Sequence, residues 1–78
     1  MLSLPQPGAD RPLHRALTDR EFQVFIMLAS GIKKTEIAEK LSISKSTIND
    51  HRNTILKKMN MFANSELTRY AIQNGIIQ

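Results

Sequence analysis

Apolar residues show no sustained period through the first 16 positions, and from Leu17 onward they recur at helical spacing. Thr18 followed by Glu21 forms a capping box, with Leu17 and Phe22 as the flanking hydrophobic staple, so a helix is predicted to start there. Phe22, Phe25, Ile26 and Ala29 fall at i, i+3, i+4 and i+7 as its core stripe, and Gly31 is placed to end it near Ser30. A second, short helix carries Ile37, Ala38 and Leu41 and stops before Ser42. Ser44 can cap a third helix, about Lys45 to Met59, with Ile43 and Ile48 in staple positions. Only about three residues then join the second and third helices, the tight turn of a helix-turn-helix. A fourth helix is predicted from about Asn64 to Asn74, with Leu67, Tyr70 and Ala71 on one side, Gly75 as its stop, and Ile76 and Ile77 returning to the core. No stretch alternates as a strand would. The expected fold is all-α, four helices.

Residues 1–16 hold all three prolines, Pro5, Pro7 and Pro12, and read as a flexible linker or N-terminal arm, leaving residues 17–78 as one domain. A domain of this size buries only about 60% of its unfolded surface, which leaves little room for an enclosed active site.

Charge sharpens the picture once it is located. Lys33, Lys34, Lys40, Lys45, Arg52, Lys57 and Lys58 face only Glu36, Glu39 and Asp50 between positions 33 and 58, so this third of the chain carries the whole net charge of +4. Such a concentration suits a polyanion, nucleic acid first and an anionic membrane surface second, unless it is a solvated lysine face. Helical phasing separates these readings. On the third helix Ile48, Arg52, Ile55 and Met59 form the buried stripe, while Ser46, Asp50, Asn53 and Lys57 lie opposite and Asn49 lies on the flank. Asparagines are poor helix formers, and their presence there is better explained by hydrogen bonding to base edges. Lys33 and Lys34 sit at the positive end of the second helix, an arrangement that a bound phosphate would make favourable. Asp50 has two readings: it selects a cytosine amino group, or it pairs with Arg52, Lys57 or another base and orients it.

Other chemistry finds little support. The absence of cysteine removes disulfides and thiolate zinc sites and suits a reducing cytosol, so a cytoplasmic location is expected. No run approaches the ~18 apolar residues of a membrane span. His14, in the arm, and His51, on the third helix, lack a carboxylate or nucleophile at persuasive spacing, so neither an enzyme nor a metal or cofactor site is expected. His51 reads as a boundary residue packing on the second helix, or as a phosphate contact. Tyr70 and the methionines read as core or interface filler.

These residues resemble the LuxR-type (GerE-type) helix-turn-helix found in output domains of NarL/FixJ response regulators. The resemblance runs from Leu17 to Ile77 through Leu17-Thr18-Asp19-Arg20-Glu21, Ala29-Ser30-Gly31, Glu36-Ile37-Ala38, Leu41-Ser42-Ile43-Ser44, Ser46-Thr47-Ile48, His51, Lys57-Lys58-Met59 and Tyr70-Ala71-Ile72-Gln73-Asn74-Gly75-Ile76-Ile77. It implies a three-helix core, recognition by the third helix, dimerisation through the fourth, and transcription control. It implies base contacts from Asn49, Asp50 and Asn53, and backbone contacts from Lys45, Ser46, Thr47 and Lys57, with Lys34 and Thr35 as further candidates from the second helix. Two positions depart from the family pattern. Lys33 stands where a Ser or Thr cap is common, and Ala63 precedes the fourth helix, whose start is therefore expected at Asn64 or Ser65.

The expected function is sequence-specific binding of double-stranded DNA in transcription regulation, as a homodimer on DNA, with RNA polymerase as a further partner. On the fourth helix Thr68 and Ile72 are expected on a free face and are assigned to the dimer interface. The arm resembles the tether between a receiver and its output domain, and 78 residues are too few for a receiver's α/β fold, so an excised output domain is expected. The alternatives are a stand-alone GerE-like regulator and a protein-interaction module like the similar region of sigma factors.

Overall fold

The chain breaks into helices where short-range hydrogen bonds can close their ends. The computed structural model describes residues 13–77. Four α-helices follow one another: α1 (Asp19–Ala29), α2 (Lys34–Leu41), α3 (Lys45–Lys58) and α4 (Asn64–Gln73). No strand occurs among the described residues.

Thr18 caps α1 reciprocally: its hydroxyl accepts from the Glu21 amide at 3.1 Å, and the Glu21 carboxylate accepts from the Thr18 amide at 2.9 Å. Ser44 caps α3 by accepting from the Thr47 amide at 3.0 Å. Ala63 occupies the N-cap of α4 without an acceptor of its own. Glu66 compensates, because its carboxylate accepts from the amides of Phe62 at 2.7 Å and Ala63 at 3.0 Å. The helix therefore starts at Asn64 despite the alanine.

All four C-termini close in one way. A left-handed residue follows each helix: Gly31 (φ 84°), Ser42 (φ 58°), Asn60 (φ 56°) and Gly75 (φ 69°). The next amide then reaches back across the last turn, Ile32 to Met27 at 3.1 Å, Ile43 to Ala38 at 3.0 Å, Met61 to Leu56 at 2.8 Å and Ile76 to Ala71 at 2.8 Å. This is the Schellman arrangement, and in every case the residue that closes it is apolar and packs on the core. Helix ending and core formation are thereby coupled four times over.

The core is built from Val24, Phe25 and Leu28 of α1, Ile37 of α2, Ile48, Ile55 and Leu56 of α3, Met59, and Leu67 and Ala71 of α4. Each large side chain so buried contributes about 2 kcal/mol of transfer free energy. On α1 the expected stripe is shifted: Phe25 and Ala29 are buried, Phe22 and Ile26 only half-buried, and Val24 and Leu28 fully or nearly covered. The cause is tertiary, since α1 is wedged between α3 and α4 and also touches α2, which widens its buried arc. Met27 and Met61 pack around the core as filler.

The expected arm ends earlier than its composition implied. Leu13–Ala16 form one turn of 3-10 helix. The ring Nδ1 of His14 and the Tyr70 hydroxyl are 2.9 Å apart, the Tyr70 hydroxyl also accepts from the His14 amide at 3.3 Å, and the ring lies 5.5 Å from that of Phe22. His14, the arm histidine of the sequence reading, is thus a strut between α1 and α4. Residues 1–12, the proline-bearing remainder of the arm, lie outside the described residues.

Candidate nucleic-acid interface

Burial of Ile48 and Ile55 fixes the rotation of α3, because both are fully enclosed on its inner side. The opposite side is then obliged to face outward. Lys45, Ser46, Asn49, Asp50, Asn53 and Lys57 are all exposed, as are Lys34 and Thr35 at the start of α2. Thr47 and His51 lie half-buried at the flanks, and the Thr47 hydroxyl is 2.9 Å from that of Ser44, which ties it to the cap. Arg52, expected on the inner stripe, is half-buried at the edge.

Three polar contacts bridge elements and alter the roles of the bases. Lys34 Nζ donates to Asn49 Oδ1 at 2.8 Å, joining the first residue of α2 to the outer face of α3. Arg52 Nε donates to Asn64 Oδ1 at 2.8 Å, so its guanidinium is directed to the start of α4. Lys58 Nζ pairs with Glu21 Oε1 at 2.8 Å, the one ion pair among the described residues. The Lys58 hydrogen bond, followed by the Thr18 amide, holds the Glu21 carboxyl below its ordinary range, against an opposing desolvation. Lys58 is therefore neutralised by an acid that lies outside the basic third of the sequence.

Asp50 has no base within ion-pair distance among the described residues. Arg52, one of its expected partners, is turned to Asn64 instead. The helix-phase reading missed all three bridging contacts. Nothing local announces them, because the partners stand 15, 12 and 37 residues apart.

On α4 the two residues assigned to a free face separate. Ile72 is 54% exposed, whereas Thr68 is half-buried and its hydroxyl donates to the Ala29 carbonyl at 2.9 Å. Thr68 ties α4 to the end of α1, where that carbonyl would otherwise lack a partner.

The short turn between α2 and α3, the buried inner face of α3 and its polar, cationic outer face define a helix-turn-helix protein. The model of bacterial regulatory proteins of the luxR family matches residues 15–71, and the chain belongs to that family of DNA-binding transcription regulators, which are not enzymes. Among its relatives, Response regulator UvrY of Escherichia coli (strain K12) is 35% identical over 75 residues, covering 96% of this chain and 34% of UvrY. The uncharacterized transcriptional regulatory protein YxjL of Bacillus subtilis (strain 168) is 39% identical over 66 residues, 85% of this chain and 30% of YxjL. Oxygen regulatory protein NreC of Staphylococcus carnosus (strain TM300) is 35% identical over 63 residues, 81% of this chain and 29% of NreC. The chain thus spans about a third of the length of these relatives. Among the described residues no helix is long and apolar enough to cross a membrane.

Proposed function

We propose that this chain is the DNA-reading output domain of a cytoplasmic response regulator, with α3 entering the major groove. One observation carries the reading: the hydrogen-bonding side chains Asn49, Asp50 and Asn53 of α3 are all exposed, Asp50 and Asn53 opposite the buried Ile48 and Ile55 and Asn49 on the flank beside them. In this reading those three meet base edges, and Lys34, Thr35, Lys45, Ser46, Thr47, His51 and Lys57 flank them toward the phosphates. Two copies meet on inverted half-sites through the exposed Ile72 of α4, a patch small enough that DNA must reinforce it.

Titration of a labelled duplex at rising salt tests the reading. Phosphate contacts require that log affinity fall steeply and linearly with log salt. Binding that is absent, or indifferent to salt, would return the fold to the role of a protein-interaction module.

A further inference from the structure

The contact between Lys34 and Asn49 bears on which base α3 selects. An ammonium can only donate, so the Asn49 atom 2.8 Å from Lys34 Nζ is the amide oxygen and the amide nitrogen must point elsewhere. Asn49 therefore turns its NH2 group away from Lys34, where it makes no hydrogen bond among the described residues, and its acceptor is already engaged by a positive charge. Two further N–H bonds of the Lys34 ammonium stand beside it. Together the two exposed side chains offer hydrogen-bond donors and a cation, whereas a free asparagine offers one donor and one acceptor side by side.

Base edges in the major groove differ on this point. Adenine shows an acceptor at N7 and a donor at N6, and a free asparagine matches both. Guanine shows acceptors at both N7 and O6. An adenine amino group approaching Asn49 Oδ1 would have to approach the Lys34 ammonium as well, while guanine O6 is attracted by the ammonium and by the amide NH2 together. The second lone pair of Oδ1 stays open to adenine N6, but a donor there lies beside the ammonium, so adenine gains less at this position than guanine O6, which the ammonium attracts.

We infer that Lys34 sets the base preference of Asn49, converting an adenine-type reader into a donor face that selects guanine. This inference rests on the DNA-binding reading above. Lys34 acts here as a positioning residue through Asn49, beyond any pull it exerts on phosphates.

Competition binding with duplexes varied one base pair at a time, for the wild-type chain, Lys34→Met, Lys34→Arg, Asn49→Ala and the Lys34→Met/Asn49→Ala double variant, tests it. The wild type should prefer guanine over adenine about tenfold at one position. Lys34→Met should abolish that preference or turn it toward adenine at the same position, and Lys34→Arg, which keeps a cationic donor, should retain it. In the Asn49→Ala background Lys34→Met should shift base preference much less than it does in the wild type. Lys34 is exposed, so circular dichroism should show every variant folded as the wild type. A Lys34→Met variant that weakens all duplexes equally while keeping the guanine preference would overturn the inference and leave Lys34 a phosphate anchor. Failure of the wild type to bind any duplex would instead overturn the DNA-binding reading on which it rests.

Discussion

Glu21 and Lys58 lock the start of α1 to the end of α3: Lys58 Nζ donates to Glu21 Oε1 at 2.8 Å, and the same oxygen accepts from the Thr18 amide at 2.9 Å. One carboxylate thus completes a helix cap and holds α3 at its far end. The ammonium also sits in the last turn of α3, where the helix dipole favours a cation.

This pairing makes stability depend on pH. The Lys58 hydrogen bond and the Thr18 amide lower the Glu21 pKa from its reference of 4.5, so its contribution is fully present above that value and is lost as pH falls through the lower, folded pKa. Glu21→Gln keeps an acceptor for the cap but no charge. Because the pair is partly solvated and screened, the variant should lose only about 0.5 kcal/mol near neutrality. Urea unfolding should show the gap between variant and wild type closing as pH falls from neutrality to below 4.5. A gap of constant size across that range would assign the effect to packing.

Lys45 and Lys57 flank the outer face of α3 with no ion-pair partner among the described residues. Alanine at either should weaken binding to all duplexes alike and reduce the magnitude of the salt slope by about one. Lys58→Ala should leave the slope nearly unchanged, since Glu21 already neutralises that charge. Equal slope losses at all three lysines would contradict this division.

Asp50, exposed and without a partner base among the described residues, would be a liability in a protein that only held phosphates. Asp50→Ala should tighten nonspecific binding and lose about 1 to 3 kcal/mol of discrimination at one cytosine. Competition assays with each base varied in turn measure both effects. General weakening with an unaltered base preference would make Asp50 an orienting residue instead.

Ile72→Glu should abolish cooperative binding to paired half-sites while sparing a single half-site, because the side chain is half in solvent and takes no part in the buried core. Thr68→Val, by contrast, should destabilise the fold by about 1 kcal/mol through loss of its bond to Ala29 and leave cooperativity intact. Sedimentation of each variant with one-site and two-site duplexes distinguishes the two residues. Cooperativity that survives Ile72→Glu would move the interface away from α4.

The sequence alone determined where helices begin and end, because those decisions are made by hydrogen bonds spanning three to five residues. Thr18 with Glu21, Ser44, Gly31 and Gly75 each act within one turn of themselves, and all four act as their local pattern predicts. The outward face of α3 was legible for the same reason, since Ile48 and Ile55 settle its rotation by periodicity alone. Tertiary structure decided what depends on how the helices cross. It turned Val24 and Leu28 of α1 inward, ordered His14 against Tyr70, and drew Thr68 onto Ala29. Above all it decided which charges are free. Lys34 and Lys58 read alike in one dimension, as exposed bases in a cationic stretch. Packing sets one against Asn49 and the other against Glu21, across 15 and 37 residues of chain, distances over which no periodic pattern carries information.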